Sequence, residues 1–173
     1  LAWKFKTNGR VISSPLVVGE VVYVGSTDGS LYAINRADGT QRWKFDSKGP
    51  ISSSPAFNNG LVYVLSADGL VYAVDATTGQ SKWTFATKGE RRFTAPGIHG
   101  ALPRTERMPD PFDVFTSSPT VANGAVYVGS GEPLQRPDLS TGDGIYRSDD
   151  AGKTWRHLGL RDAQQIAQVI IDP

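Results

Sequence analysis

The chain has 173 residues, 39% of them hydrophobic and 10% aromatic, which is the length of one domain and enough to bury a core. Lys plus Arg is 18 and Asp plus Glu is 17, and the net charge of +1 excludes the broad cationic footprint of general nucleic-acid binding. There is no cysteine, so disulfides and thiolate metal sites are excluded, and no apolar run approaches the roughly 18 residues of a membrane-spanning helix.

Taken in order, Leu1 to Lys6 reads as the last strand of a sheet whose earlier strands would precede it. The start at Leu1, with no methionine and no signal region, leads us to expect that processing or truncation has removed the beginning. A repeat then sets in. Trp3, Trp43 and Trp83 stand 40 residues apart, and Ser13-Ser14-Pro15 returns 40 residues later as Ser53-Ser54-Pro55 and then 64 later as Ser117-Ser118-Pro119. Val22-Tyr23-Val24, Val62-Tyr63-Val64 and Val126-Tyr127-Val128 keep the same offsets. The unit is therefore about 40 residues, with an insertion of 24 in the third copy.

Each unit carries strand and hairpin signals. Asn59-Gly60 and Asn123-Gly124 occupy one equivalent position and Asp28-Gly29 and Asp68-Gly69 another, and both dipeptides favour the positive φ angles of two-residue hairpin turns. Leu61 to Leu65 and Leu70 to Val74 are almost continuously apolar, which predicts strands covered on both faces. About four such strands in a 40-residue unit describe a β-propeller blade; a β-sandwich has no need of so regular an identity pattern. The turn closing the second unit, Ala73-x-Asp75-x-x-x-Gly79-x-x-x-Trp83, offers a carboxylate to the turn amides and a glycine for a left-handed backbone. Its Trp is set to lie against the next blade, with the indole N–H finding an acceptor, and a looser version runs from Ala33 and Asn35 through Gly39 to Trp43.

On these residues the stretch from Leu1 to about Ser130 resembles the pyrroloquinoline-quinone-type propeller repeat, with its tryptophan-docking turn. That family contains quinoprotein dehydrogenases and also non-enzymatic scaffolds such as the outer-membrane assembly lipoprotein, so the resemblance implies the fold and leaves the function open.

The insertion, at about 86–115, holds Lys88-Gly89-Glu90-Arg91-Arg92-Phe93 and Arg104-Thr105-Glu106-Arg107, with Pro96, Pro103, Pro109 and Pro111 stiffening its path. Arg91, Arg92, Arg104 and Arg107 can grip an acidic partner, or else pair locally with Glu90, Glu106 and Asp110 in a solvated loop. Beyond Ser130 the repeat changes kind: Glu132-Pro133 replaces the expected Asp-Gly turn, and Asp143-Gly144-Ile145-Tyr146 reads as the strand resuming. Ser148-Asp149-Asp150-Ala151-Gly152-Lys153-Thr154-Trp155 fits S-x-D-x-G-x-T-W and resembles the Asp-box of sialidase-like and sortilin-like propellers, a fold device in those families. Asp150, Ser148 and Thr154 are expected to tie down the turn, Gly152 to permit its reversal, and Trp155 to anchor the next strand. Two repeat types, at 1–130 and 131–173, reflect either divergence or a chimaera spliced at the shared Val-Tyr-Val-Gly-Ser segment. Ile166 to Ile171 reads as the opening strand of a further blade.

The sequence therefore predicts an all-β chain of about three full four-stranded propeller blades plus partial ones, an incomplete propeller or a chimaera. A quinoprotein dehydrogenase would carry an adjacent-cysteine disulfide, which is impossible here, and a calcium constellation that cannot be placed. For a sialidase-like glycoside hydrolase, Glu132, Asp138 and Arg136 can be named but not matched to roles. His99 and His157 lie in no ligand-spaced or triad motif, and the stretch at 130–133 is no phosphate loop. No catalytic residue, cofactor or metal is assigned. The expected function is a non-catalytic scaffold for protein or ligand interaction, periplasmic or extracellular by resemblance, with self-association through exposed blade edges.

Overall fold

The structure, a computed structural model, describes residues 2–86, 117–130, 144–161, 163, 166 and 169–171, together with the backbone of 92–93 and 108–109. Its strands form three four-stranded antiparallel sheets, each a meander in chain order. The first comprises β1 (Leu16–Val18), β2 (Val21–Gly25), β3 (Ser30–Asn35) and β4 (Gln41–Asp46), and the second β5 (Ala56–Asn58), β6 (Leu61–Leu65), β7 (Leu70–Asp75) and β8 (Ser81–Ala86). Between the second and third sheets, β9 (Arg92–Phe93) pairs antiparallel with β10 (Met108–Pro109), so the insertion contains a short two-stranded ladder. The third sheet comprises β11 (Thr120–Ala122), β12 (Ala125–Gly129), β13 (Ile145–Ser148) and β14 (Arg156–Gly159). There is no helix among the described residues, and so none long and apolar enough to cross a membrane. The all-β blade architecture read from the 40-residue period is what the chain adopts.

The two glycine dipeptides behave differently. Asn59-Gly60 and Asn123-Gly124 are two-residue turns with both φ angles positive, at 49° and 77° and at 49° and 76°, as the sequence predicts. Asp28-Gly29 and Asp68-Gly69 are not. Each ends a four-residue loop in which only the glycine has positive φ, at 88° and 79°. The Asp instead uses its side chain: Asp28 Oδ1 accepts the Ser30 amide at 3.0 Å and Asp68 Oδ1 the Leu70 amide at 3.0 Å, which closes the turn without a left-handed aspartate.

The sheets stack face to face. Val21, Tyr23, Leu31, Ala33 and Trp43 of the first sheet are buried with Val62, Val64, Tyr72 and Val74 of the second. The opposite face of the second sheet, with Tyr63, Leu65, Val71 and Ala73, meets Val126 and Val128 of the third. Both faces of β6 and β7 are thus covered, which is why their sequences are apolar throughout rather than alternating. At the far ends the expected extra strands do not form: residues 2–6 carry no strand, and neither do 166 and 169–171. Their side chains nevertheless take repeat positions. Trp3 Nε1 donates to Arg36 O at 2.8 Å and Phe5 meets Tyr32 edge-on at 5.3 Å, while Ile166 packs onto Gly129 as Ile51 packs onto Gly25. The apolar anchors dock, but no ladder partner lies beside them among the described residues to make them strands.

Candidate functional site

The chemistry-bearing side chains of the described residues gather on the loops at the blade edges, and the packing of the sheets decides what each can do. At the outer turn of the second sheet Asp75 Oδ1 accepts the amides of Thr77 and Thr78, both at 2.9 Å, and Oδ2 pairs with Lys82 Nζ at 3.2 Å. The Thr78 amide, then the Lys82 ammonium, hold the Asp75 carboxyl down at about 2. Gly79, at φ 74°, leaves its missing Cβ to the preceding sheet's tryptophan: a Cβ there would fall 2.7 Å from Trp43 Cδ2. The Trp43 indole then donates to Ala76 O at 3.0 Å, and Tyr23 Oη donates to the same carbonyl at 3.1 Å. The looser first copy keeps the glycine contact, with a Cβ at Gly39 falling 2.7 Å from Trp3, but exchanges the acceptor. There Asp38 Oδ1 takes the Thr40 amide at 2.9 Å, and Asn35 instead bonds the Thr40 and Arg42 side chains.

The turn of the third sheet is built otherwise. Asp150 Oδ1 accepts the Thr154 amide at 2.9 Å and the Ser148 hydroxyl at 2.8 Å, Oδ2 accepts the Thr154 hydroxyl at 2.6 Å, and Ser148 Oγ accepts the Gly152 amide at 2.7 Å. The Thr154 hydroxyl, followed by its amide, holds the Asp150 carboxyl at about 2. Trp83 of the second sheet lies directly on Gly152, so the tryptophan-on-glycine contact also joins the second sheet to the third. Trp155, however, faces backward. In the first two sheets Trp43 and Trp83 stand opposite Ala33 and Ala73; in the third, Arg156 stands opposite Arg147, and Trp155 is one position early. One residue of slip turns a side chain to the other face of a strand. Trp155 therefore stacks on Phe85 at 4.5 Å, meets Trp83 edge-on at 5.9 Å and donates to Gly152 O of its own turn at 3.1 Å, rather than anchoring a following blade.

Tyr63, in the same cluster as Trp155, is also unlike its repeat equivalent. Tyr23 and Tyr63 are repeat equivalents, but the Tyr63 hydroxyl is fully buried with no hydrogen-bond partner among the described residues, and burial pushes its pKa up to about 12.

Sequence reasoning missed a second device, the pairing of each Asp-Gly loop with a tyrosine. Asp28 Oδ2 accepts Tyr32 Oη at 2.7 Å and the Asn8 amide at 3.0 Å; Asp68 Oδ2 accepts Tyr72 Oη at 2.6 Å and the Lys48 amide at 3.1 Å. Burial raises the Asp28 carboxyl, but the bonds from Tyr32 and Ser30 outweigh it and the net direction is down. The spacing Asp-Gly-x-x-Tyr at 28 and 68, shortened by one residue at 143, was the available signal. Also missed was Arg147, where Ala33 and Ala73 stand; it lies 5.4 Å over the Tyr127 ring and bonds Asp149 at 2.7 Å. With Asp149, Asp150, Thr154, Trp155 and Arg156 it lines a shallow cleft of about 310 Å³.

Of the expected partner-binding arginines, Arg91, Arg104 and Arg107 lie outside the described residues, and Arg92 is placed only by its backbone pairing with Pro109. Glu132, Arg136, Asp138 and His99 also lie outside them. His157 Nδ1 accepts the Gly159 amide at 3.1 Å and its ring meets Tyr146 edge-on. No three metal-ligating side chains converge among the described residues.

Sheets of four strands, joined face to face by a tryptophan on the neighbour's glycine, define the chain as a stack of β-propeller blades. A family model described as outer membrane protein assembly factor BamB matches residues 1–104, and the chain belongs to that family. Among solved structures it is similar to the computationally designed Ika4 protein, at 12% identity and a TM-score of 0.65, covering 100% of this chain and 87% of that one. It is also similar to the quinohemoprotein alcohol dehydrogenase from Comamonas testosteroni, at 24% identity and a TM-score of 0.58 over 85% of this chain. A europium-containing methanol dehydrogenase gives 21% identity and a TM-score of 0.59 over 91%. The chain spans 20% and 27% of those two dehydrogenases, and at these identities the likeness is one of fold. No curated protein matches the chain.

Proposed function

We propose that the chain is a non-catalytic β-propeller scaffold for protein interaction that works outside the cytoplasm. The observation that carries this reading is where the carboxylates are committed. Asp28, Asp68, Asp75 and Asp150 each accept at least two hydrogen bonds from residues two to four positions further along the chain, so their oxygens hold local structure instead of facing a substrate. The family description, an outer membrane protein assembly factor, supports both the scaffold role and the compartment. In this reading Trp43 and Trp83, with Asp75 and Gly79, form tryptophan-docking joints. Ser148, Asp150, Gly152 and Thr154 form an Asp-box that ties down the third blade's turn and seats Trp83 on Gly152, while Trp155 of the same box packs back onto Phe85 of the second blade. The partner is held by Arg91, Arg92, Arg104 and Arg107 of the insertion, which together offer four guanidinium groups to an acidic surface.

Crosslinking in cells that carry the protein, followed by identification of the crosslinked chains, tests the reading. The expected result is a dominant acidic protein partner lost when the four arginines are replaced by alanine. Dye reduction by the purified protein with pyrroloquinoline quinone, calcium and an alcohol would overturn it in favour of a dehydrogenase fragment.

A further inference from the structure

The third sheet turns Val126 and Val128 toward the second sheet and Tyr127 to its other face, and that other face departs from the repeat. Across β2, β3 and β4 the register sets Tyr23, Ala33 and Trp43 side by side, and across β6, β7 and β8 it sets Tyr63, Ala73 and Trp83. In both rows the small central residue leaves room for the tryptophan, and the next sheet packs on top. Across β12, β13 and β14 the same row reads Tyr127, Arg147 and Arg156. Two cations thus stand directly opposite each other on adjacent strands, an arrangement that destabilises a sheet.

The two arginines are held differently. Arg147 is half-buried, lies 5.4 Å over the Tyr127 ring and donates from Nε to Asp149 Oδ1 at 2.7 Å, an oxygen that its Nη2 also contacts. Arg156 is exposed and has no hydrogen bond or ion pair among the described residues. Asp150 is already committed, because Ser148 and Thr154 take both of its oxygens. On the outer strands of the other two sheets every cation is paired: Arg42 with Asn35, Lys44 with Asp46 at 2.9 Å, and Lys82 with Asp75 at 3.2 Å. Both arginines line the shallow cleft of about 310 Å³ beside Trp155. Along β14, Arg156 and Leu158 are the exposed positions, Leu158 at 45%, and β14 ends its sheet, with no strand along its outer side among the described residues.

We propose that this cleft is a docking site for an extended acidic segment of a partner protein, with one carboxylate received by Arg156 and Arg147 and an apolar side chain two residues away laid on Leu158. The proposal rests on the scaffold reading and gives its acidic partner a point of attachment on the third sheet, separate from the insertion. Charge selects the occupant. A carboxylate relieves the opposition of the two guanidinium groups, and its two oxygens match their planar N–H donors. Tyr127 and Asp149 already hold Arg147 in place, so the side-chain freedom lost on binding is mainly that of Arg156. An extended chain repeats its side chains on one face every ~6–7 Å, which is the interval between Arg156 and Leu158 on β14.

Titration of the nitrogen-15-labelled chain with the blocked peptide Ser-Glu-Ser-Leu-Ser tests this, read at the side-chain Nε signals of Arg147 and Arg156 and at the amides of β14. The expected result is a saturable shift of these signals, with binding about tenfold weaker when Gln replaces the peptide's Glu. An equal response to the two peptides, or none to either, overturns the proposal. Moving the Leu next to the Glu turns it to the opposite face and weakens binding; unchanged binding overturns the two-residue spacing. Arg156→Gln weakens binding about three- to tenfold without lowering the unfolding midpoint, since it removes an opposed charge, whereas Arg42→Gln on β4 leaves binding as it was. Equal weakening by both variants means diffuse attraction to cations and overturns the site. Replacing Arg91, Arg92, Arg104 and Arg107 by alanine leaves peptide binding intact; its loss there moves the acidic site to the insertion and overturns the proposal. Movement of the two arginine signals on concentrating the chain alone puts a second copy in the cleft and overturns it as well. The scaffold reading fails separately, by dye reduction, which the titration does not touch.

Discussion

Tyr23 and Tyr63 occupy the same place in successive repeats and differ by one hydrogen bond, which makes them a controlled pair. Tyr23→Phe loses a neutral bond whose acceptor, Ala76 O, still receives the Trp43 indole, so no buried group is orphaned and the loss is about 0.5–1.5 kcal/mol. Tyr63→Phe removes a hydroxyl that is buried without a partner and should raise stability by about 1 kcal/mol. Urea midpoints of the two variants should move in opposite directions; movement together would mean that the two joints are alike. With Tyr72, whose pKa burial and the bond to Asp68 also raise, the same residue sets an alkaline limb. Its raised pKa means that the buried neutral form contributes stability present below the ordinary tyrosine value of 10.0 and lost as pH climbs through about 12. At the acid end Asp75 and Asp150, both held at about 2, contribute stability that is present above the ordinary carboxyl value of 3.8 and lost as pH falls through about 2. Both carboxyl groups sit in half-buried turns at the surface, where solvent screening keeps the slope shallow. Asp75→Asn and Asp150→Asn, which keep one acceptor oxygen, should flatten the unfolding midpoint between about pH 4 and pH 2 and leave the alkaline limb untouched.

At the level of the turn, glycine positions separate backbone strain from packing. Gly60, at φ 77°, has no heavy atom within 4 Å of a hypothetical Cβ, so Gly60→Ala meets only the left-handed backbone cost of about 1–2 kcal/mol. Gly79, at φ 74°, adds a Cβ 2.7 Å from the Trp43 ring, and Gly79→Ala should cost about 2–4 kcal/mol because the ring must leave its carbonyl acceptor. Gly152→Ala, under Trp83, belongs with Gly79. Thermal midpoints that rank Gly60→Ala beside the other two would mean that the tryptophans do not bear on these turns. The elements themselves were legible in the sequence because the repeat prints each strand and turn more than once: Trp43 and Gly79 recur as Trp83 and Gly152, and Asn59-Gly60 as Asn123-Gly124. What the sequence concealed depends on register. The shift at Ile145/Tyr146 puts Arg156 where a tryptophan was due and turns Trp155 to the opposite face, and an eight-residue motif match carries no information about which face it serves. The Asp28–Tyr32 and Asp68–Tyr72 bonds were hidden for another reason: the Asp-Gly dipeptide has two ways to close a turn, and the side chain decides between them.

Across the whole molecule, the repeat makes chemically similar residues differ only through what stands beside them. Ile51 is fully buried because it rests on Gly25 of the preceding sheet, where a Cβ would fall 2.5 Å from its Cγ2. Val11 holds the same repeat position at the start of the first sheet, and it is 49% exposed. Val17 is 53% exposed and Ile170, beside the third sheet, 80%. Apolar surface of this kind at both ends of a stack favours association of copies, because each sheet is shaped to be covered on two faces. Truncation separates the two positions. Ile51→Ala should cost about 2–5 kcal/mol in the isolated chain, the price of an unfilled niche over Gly25, whereas Val11→Ala should stay within about 0.5 kcal/mol. The association should respond the other way round: Val11→Asp, harmless to the unfolding midpoint at low concentration, should shift light-scattering mass toward monomer at high concentration. A chain that remains a monodisperse monomer at every concentration, with Val11→Asp indistinguishable from the parent, would show that the ends of the stack are tolerated in water rather than used.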